Sequence, residues 1–294
     1  MRPVPCRPWA DAPTAALCRV RGVLTDIDDT LTTHGTITPD ALEALHHLRG
    51  AGLSVIAITG RPMGWSEPFA RAPEQGGWPV DAVVAESGAV AMFREHGEPR
   101  CEYAQDAATR AHNALRLREL AAQVLREVPG ATLARDSAGR VTDIAVDHSE
   151  FAQLGSEQRA RVVAVMHSGG AHATVSSIHI NGWFGDHTKL SGARWAVQRV
   201  LGRALDDEAD RWVYVGDSTN DQLMFGHFPL SVGVANLLDF AATLNLWPAY
   251  ITPSARGAGF AEVARRLVGL AKHRADAGRR MTRRSAMAPV KAPR

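Results

Sequence analysis

The stretch "VLTDIDDTLT", residues 23–32, decides how the chain is read. Val23 and Leu24 have the character of a strand interior. Three carboxylates, Asp26, Asp28 and Asp29, follow at once. Like charges packed that closely repel, and each resists being taken out of water. A solvated acidic loop after a strand is the ordinary reading of such a triplet. What surrounds it argues for something else.

Residues 20–25 read as a short buried strand. In "TPDALEALHHLRGAG", Thr38 can cap a helix and Pro39 suits its first position. Leu42, Leu45 and Leu48 recur at helical spacing, and Gly52 marks the stop. "LSVIAI" is a second apolar strand, residues 53–58, ending at Thr59, and residues 80–85 give a third. Strand, helix and strand within about forty residues predict a βαβ unit with parallel strands. The rhythm returns downstream. "KLSGARWAVQRVLG" reads as a helix, "RWVYVGD" as a strand and "NDQLMFGHF" as the start of a helix. "LSVGVA" reads as another strand and "GFAEVARRLVGLA" as a closing helix.

Between the two blocks the texture changes. Residues 89–185 predict a turn at "REHGEPR", a long helix over 107–128 and a turn at 137–139. The strand "VTDIAVD", a helix over 157–167 and a strand over 173–180 follow. This is the pattern of an inserted α+β domain that repeats a helix-plus-strand unit. The expected organisation is an N-terminal extension (1–19), an α/β core with a parallel sheet (20–88 and 186–271), a cap (89–185) and a basic disordered tail (272–294).

Of the 294 residues, 45% are hydrophobic, enough for a proper core. No apolar run approaches the length of a membrane span. The N-terminus, "MRPVPCRPWADAP", is broken by prolines and lacks the apolar stretch of a secretory signal. Cys6, Cys18 and Cys101 are odd in number and widely spaced, which fits neither a disulfide framework nor a zinc set; a cytoplasmic location is expected. Net charge is +2, but residues 272–294 hold eight Lys or Arg against one acid, leaving the rest at −5. That acidic body, and the absence of a nucleic-acid module, argue against a nucleic acid as the main partner. The tail remains the one feature that favours such a partner.

In an open parallel sheet, ligands bind outside the carboxyl ends of the strands. Asp26 closes the first strand, Thr59 the second, and Asp217 the strand "RWVYVG". If extended geometry persists, Asp26 and Asp28 share a side by the period-two rule. A cluster of carboxylates at one spot is tolerable when a divalent cation neutralises it, and oxygen-only ligands point to Mg²⁺.

"DIDDT", "TGRP", a lone Lys189 after the insert and "GDSTND" together resemble the four ordered motifs of the haloacid dehalogenase (HAD) superfamily. The resemblance spans about residues 20–270. The position of the insert resembles the type IIB cap of Cof-like and sugar-phosphate phosphatases, sucrose-phosphate phosphatase among them. It implies a Rossmann-like core and a phosphoric monoester hydrolase. Asp26 would be the nucleophile and Asp28 the acid and base. Thr59 and Lys189 would act on the phosphoryl group, with Gly60 and Arg61 of the same motif contacting substrate. Asp26, the backbone carbonyl of Asp28 and Asp217 would hold Mg²⁺, while Asn220 and Asp221 orient the metal's surroundings and the lysine. Read as residues alone, Thr59 fits a loop cap and Lys189 an exposed lysine, but Lys189 is the first of only three lysines in the chain.

An acid at position 28 is absent from haloacid dehalogenases and is Thr in the ion-pumping ATPases. Asp28 therefore favours a phosphatase or a phosphomutase. Two departures stand out: Asp29 where many relatives have Gly, and "ESGA" (86–89) where Cof-like members commonly have Asn-Gly. In "SSIHINGWFGDHTK", alternation puts Ser177, His179 and Asn181 on one strand face. That polar face suits either solvent or a hydroxyl-rich leaving group under a closing cap. Trp65, after "TGRP", fits an apolar wall or ordinary packing. His167, His172, His179 and His187 lack the tight paired spacing of a zinc site. The expected function is a Mg²⁺-dependent phosphatase of a small, sugar-like phosphate ester. The alternative is a phosphomutase.

Overall fold

The computed structural model describes residues 6–286. A nine-stranded sheet organises the core. Its strands lie in the order Arg7–Pro8, Tyr250–Ile251, Leu230–Gly233, Trp212–Gly216, Gly22–Thr25, Ser54–Ile58, Ala82–Ala85, Val90–Glu95 and Glu98–Tyr103. The first seven run parallel and the last two antiparallel. The chain winds one way from Gly22–Thr25 through Ser54–Ile58 to Ala82–Ala85. Later it winds the other way from Trp212–Gly216. The switch point lies between Gly22–Thr25 and Trp212–Gly216, where a doubly wound sheet opens a crevice.

The inner parallel strands of this sheet are buried on both faces, so they are near-continuous apolar runs. Val23, Val55, Val83, Val213 and Val215 pack with Leu45, Leu48, Phe260 and Val263. The latter four belong to the helices Pro39–Gly50 and Arg256–Ala286. Leu24, Ile56, Ile58, Val84 and Tyr214 point the other way. They meet Ala193, Ala196, Val197, Met224 and Phe225 on the helices Lys189–Leu201 and Gln222–His227.

The insert carries a second, four-stranded antiparallel sheet in the order His172–Val175, His179–Trp183, Asp143–Asp147, Thr132–Leu133. The helices Ala107–Glu127 and Ser156–Ser168 cover one face through Leu117, Leu120, Val124, Val162, Val165 and Met166, which pack on Val146 and Ile180. The observed order of helix, two strands, helix, two strands has one more strand in each half than the helix-plus-strand unit expected from the sequence.

Four expectations need correction. Val90–Glu95 and Glu98–Tyr103 extend the core sheet instead of opening the insert; they cover what would otherwise be the exposed edge of Ala82–Ala85. The segment expected as an N-terminal extension is part of the core. Arg7–Pro8 pairs with Tyr250–Ile251, and Trp9 and Leu17 are buried. The strand expected over 173–180 is a hairpin. Ser176 Oγ accepts the N–H of Ile178 and of His179, which stops the first strand and leaves Ser177 in the turn. The closing helix continues past residue 271 to Ala286, because Ala, Arg and Met are good helix formers whatever their charge. The rest of the expected tail, 287–294, lies outside the described residues.

Candidate active site

The strand Gly22–Thr25 sits between Ser54–Ile58 and Trp212–Gly216, with Thr25 in register with Ala57 and Val215. Asp26 is therefore the first residue beyond the carboxyl end of a central strand, its N–H bonded to Val215 O. The extended geometry stops there. Thr30, Leu31 and Thr32 all return N–H bonds to Ile27 O, so Asp26 and Asp28 leave a turn toward different neighbours. Asp29 has φ +53°, a left-handed conformation that glycine adopts without strain. Here its carboxylate pairs with Arg256 Nε at 2.8 Å.

Lys189 is the first residue of its helix, behind the Thr188 cap, which accepts the N–H of Ser191. A cation at a helix N-terminus opposes the helix dipole and needs compensation. Lys189 Nζ lies 2.5 Å from Asp26 Oδ1, 2.7 Å from Asp221 Oδ1 and 3.2 Å from Asn220 Oδ1. Burial would lower its pKa, but Asp221 and Asp26 outweigh that and hold it above the usual lysine value. The helix reaches this place because Gly88 and Gly192 let two backbones touch. A Cβ at Gly192 would stand 2.6 Å from Gly88 Cα, and one at Gly88 2.0 Å from Thr188 O.

Asp221 is fully engaged. Besides Lys189 it accepts Tyr214 OH at 2.5 Å and the N–H groups of Asp217 and Ser218 at 2.9 and 3.1 Å. Asp217 differs. Its Oδ2 accepts Asn236 Nδ2 at 3.0 Å, while Oδ1 is buried without a partner among the described residues. One oxygen each from Asp26, Asp217 and Asp221 lie within 4.8 Å of one another. Burial, then Lys189 in opposition, then Asp221 and Asp28 set the Asp26 carboxyl, which is pushed up to about 8. Burial, with Asp26 and Asp221, holds Asp217 well above the usual carboxylate range. Carboxylates crowded and buried in this way resist ionising together unless a cation offsets their charge. The unpartnered oxygen and the all-oxygen donor set fit a hard divalent cation.

Asp28 faces the cap. Arg61 Nε donates to its Oδ1 at 2.9 Å and Thr59 Oγ1 to its Oδ2 at 3.3 Å. Thr59 Oγ1 also accepts the N–H of Arg61 at 2.9 Å. The far edge of the Arg61 guanidinium holds two cap carboxylates, Glu150 at 2.7 and 3.1 Å and Asp136 at 3.1 Å. Trp65 lies against the same guanidinium, ring centroid 4.8 Å from Cζ. Gly60 O accepts both Arg140 Nη1 and Asn181 Nδ2 at 2.9 Å. His179 Nε2 lies 2.9 Å from Glu150 Oε2. Burial alone would raise Glu150, but His179 and Arg61 pull it down to about 2. Asp147 and His179 approach Glu150 closely, yet Asp147 spends both oxygens on the N–H groups of residues 149–152.

Asp26, Asp28, Thr59, Lys189, Asp217, Asn220 and Asp221 therefore meet at one crevice. Gly60 and Arg61 sit on its cap side, opposite His179 and Asn181. Several contributors escaped the sequence. Asn236 follows a parallel strand as Asp217 does, so the strand-end rule pointed to it. Glu86 had no such signal. It and Ser87 take φ +48° and +56°, a left-handed conformation that glycine or asparagine adopts with less strain. The buried Glu86 carboxylate reaches into the cap and accepts Val141 N–H, Thr142 N–H and Thr142 Oγ1.

Residues 23–127 match the family model of the haloacid dehalogenase-like hydrolases. No curated protein matches the chain. Among solved structures, a Plasmodium vivax protein described as a HAD/COF-like hydrolase aligns with TM-score 0.63 at 15% identity, covering 87% of this chain and 99% of its own. The sucrose-phosphatase of Synechocystis, solved with sucrose and phosphate, gives 0.59 at 16%, covering 84% and 98%. A HAD subclass IIB sugar phosphatase gives 0.57 at 17%, covering 85% and 100%.

Proposed function

We propose, on the premise that this chain has the fold of the haloacid dehalogenase-like hydrolases with a subclass IIB-type cap, that it is a phosphatase of small, sugar-like phosphate monoesters. The observation that carries the reading is the meeting of Asp26, Asp28, Lys189 and Asp217 at the switch point, with Asp26 paired to Lys189, Asp28 held by Arg61 and Asp217 by Asn236. Among the described residues no helix is long and apolar enough to cross a membrane. The cytoplasmic location expected from the cysteines belongs to this reading too.

Asp26 attacks phosphorus in line and forms an aspartyl-phosphate, which divides one difficult displacement into two easier ones. The leaving oxygen takes a proton from Asp28 as its bond to phosphorus breaks. Asp28, now a carboxylate, accepts a proton from the attacking water, and phosphate leaves with Asp26 restored. Lys189 balances the charge of Asp26 before attack and of the phosphoryl oxygens during it. Thr59 donates to a phosphoryl oxygen. Asn220 and Asp221 hold the lysine in place.

Asp26, the Asp28 carbonyl and Asp217 would hold Mg²⁺, which when bound offsets the carboxylate charge and stabilises charge on the phosphoryl oxygens. The cap excludes water from the crevice while it is docked.

The test is an ester panel with purified protein and Mg²⁺, following substrate and inorganic phosphate together. Phosphate should appear in step with substrate loss, without a bisphosphate activator. Isomerised sugar phosphate with little free phosphate would replace this reading with the mutase one.

A further inference from the structure

We infer that the cap selects uncharged, hydroxyl-bearing leaving groups and rejects anionic ones, with Glu150 and Asp136 as the selecting residues. This rests on the phosphatase reading above and names the substrate class of that site.

The position comes from Arg61. One edge of its guanidinium holds Asp28, the group that must meet the leaving oxygen, and the other edge holds Glu150 and Asp136. A leaving group protonated by Asp28 therefore lies one guanidinium away from the two cap carboxylates. Glu150 is the open member of the group. Its side chain is 21% exposed, against 5% for Arg61 and 2% for His179. It is also held firmly. Asp147 ties the turn that carries it through four backbone N–H bonds.

The charge count sets the selection. Asp136, Asp143 and Glu150, with Asp28 protonated as the acid, form one network that includes His179 beside Glu150 and, among the described residues, two guanidinium groups, Arg61 and Arg140. Both are spent. Arg61 serves Asp28, Asp136 and Glu150, and Arg140 serves Asp136, Asp143 and Gly60 O. Residues 107–184 contain no lysine. Arg135, next to Asp136 in the chain, is exposed and lies over the Phe151 ring at 3.8 Å. A carboxylate or second phosphate on the leaving group adds a further negative charge to a desolvated, acid-rich surface, and such juxtapositions are strongly unfavourable. A hydroxyl instead donates to Glu150, whose oxygens carry three bonds in this structure and retain an open acceptor site. The same count weighs against a mutase, which must hold a bisphosphate beneath its cap.

Matched esters test this. Glucose 6-phosphate is compared with 6-phosphogluconate, and glycerol 3-phosphate with 3-phosphoglycerate, with p-nitrophenyl phosphate as the reference. Wild-type kcat/KM should favour the neutral member of each pair by about tenfold or more. Glu150→Gln should cut that preference at least about threefold, mainly by improving the anionic member, and Asp136→Asn should act in the same direction. A preference that moves between matched esters separates charge selection from general damage to the fold. Equal or inverted rates in wild type, with p-nitrophenyl phosphate still hydrolysed, would mean that the anion displaces Glu150 from Arg61, and the inference falls. An unchanged preference in both folded variants also overturns the assignment. Failure to hydrolyse p-nitrophenyl phosphate overturns the phosphatase reading itself.

Discussion

Lys189 Nζ lies 2.5 Å from Asp26 Oδ1, joining residues 163 positions apart in a buried pair. The pair is asymmetric. Lys189 has Asp221 and Asn220 as further partners, whereas Asp26 stands among like charges. Asp26→Asn should thus leave the lysine compensated and relieve repulsion with Asp217 and Asp221. We expect turnover to fall at least about a thousandfold while Tm stays at or above the wild-type value. Lys189→Met should do the reverse to stability. Two buried carboxylates lose their cation, at a cost of about 3–5 kcal/mol. Thermal melts of both variants check the contrast, and near-normal turnover of Asp26→Asn, with deamidation excluded by mass spectrometry, would remove it as nucleophile.

Asp217 Oδ1 is buried and has no partner among the described residues. EDTA should abolish activity and Mg²⁺ restore it. Ca²⁺ should not, because its larger, looser coordination disturbs in-line attack. A second readout needs no turnover. Binding to the native state alone raises stability by mass action, so Mg²⁺ should raise Tm of wild type. Asp217→Asn should lose that rise. A magnesium-dependent Tm shift that survives the substitution would place the ion elsewhere.

Glu86 is a core residue whose carboxylate serves the cap. It accepts the N–H groups of Val141 and Thr142 at 3.1 and 2.6 Å and Thr142 Oγ1 at 2.5 Å, and Met63 N–H within the core at 3.1 Å. Glu86→Ala leaves these donors without their acceptor, and the buried Thr142 donors cost about 1–3 kcal/mol each. The response open to the molecule is undocking of the cap. We expect a lower Tm and faster limited proteolysis in the core–cap connections near residues 104–106 and 185–188, with Glu86→Gln intermediate. Wild-type proteolysis rates in Glu86→Ala would show that the clamp does not hold the cap down.

The core was legible because its signals are local. Val23 and Leu24 alternate between two buried faces, and Asp26, Thr59 and Asp217 each follow a parallel strand directly. The two departures, Asp29 and "ESGA", make sense only with backbone angles in hand. Asp29, Glu86 and Ser87 all have positive φ, and Asp29 and Glu86 use their side chains for long-range bonds glycine could not make. What the sequence concealed is the docking of the cap. Arg61 and Glu150 are 89 positions apart, and Glu86 and Thr142 are 56. No periodicity reports such pairs, since they form only once two separately folded layers meet. The edge hairpin Val90–Glu95 and Glu98–Tyr103 was misplaced for a related reason. An antiparallel pair reads alike whether it opens an insert or closes a sheet.

Asp28 offers the sharpest test of the chemistry, because its two duties fall on different substrates. Arg61 and Thr59 fix its carboxyl, so Asp28→Asn should keep size and placement while losing the acid proton. A sugar alkoxide is a poor leaving group and needs that proton, whereas p-nitrophenolate departs without it. With p-nitrophenyl phosphate, the variant should still release a burst of p-nitrophenol as Asp26 is phosphorylated. With a sugar phosphate, the first step itself should slow, and we expect a loss about a hundredfold greater. Phosphate release should lag in both cases, since the water that attacks the aspartyl-phosphate needs the same group as its base. Rapid-quench measurement of the phosphorylated enzyme separates the two steps. Equal losses on both substrates would show that Asp28 does not protonate the leaving oxygen, and another group in the crevice would have to be sought for that role.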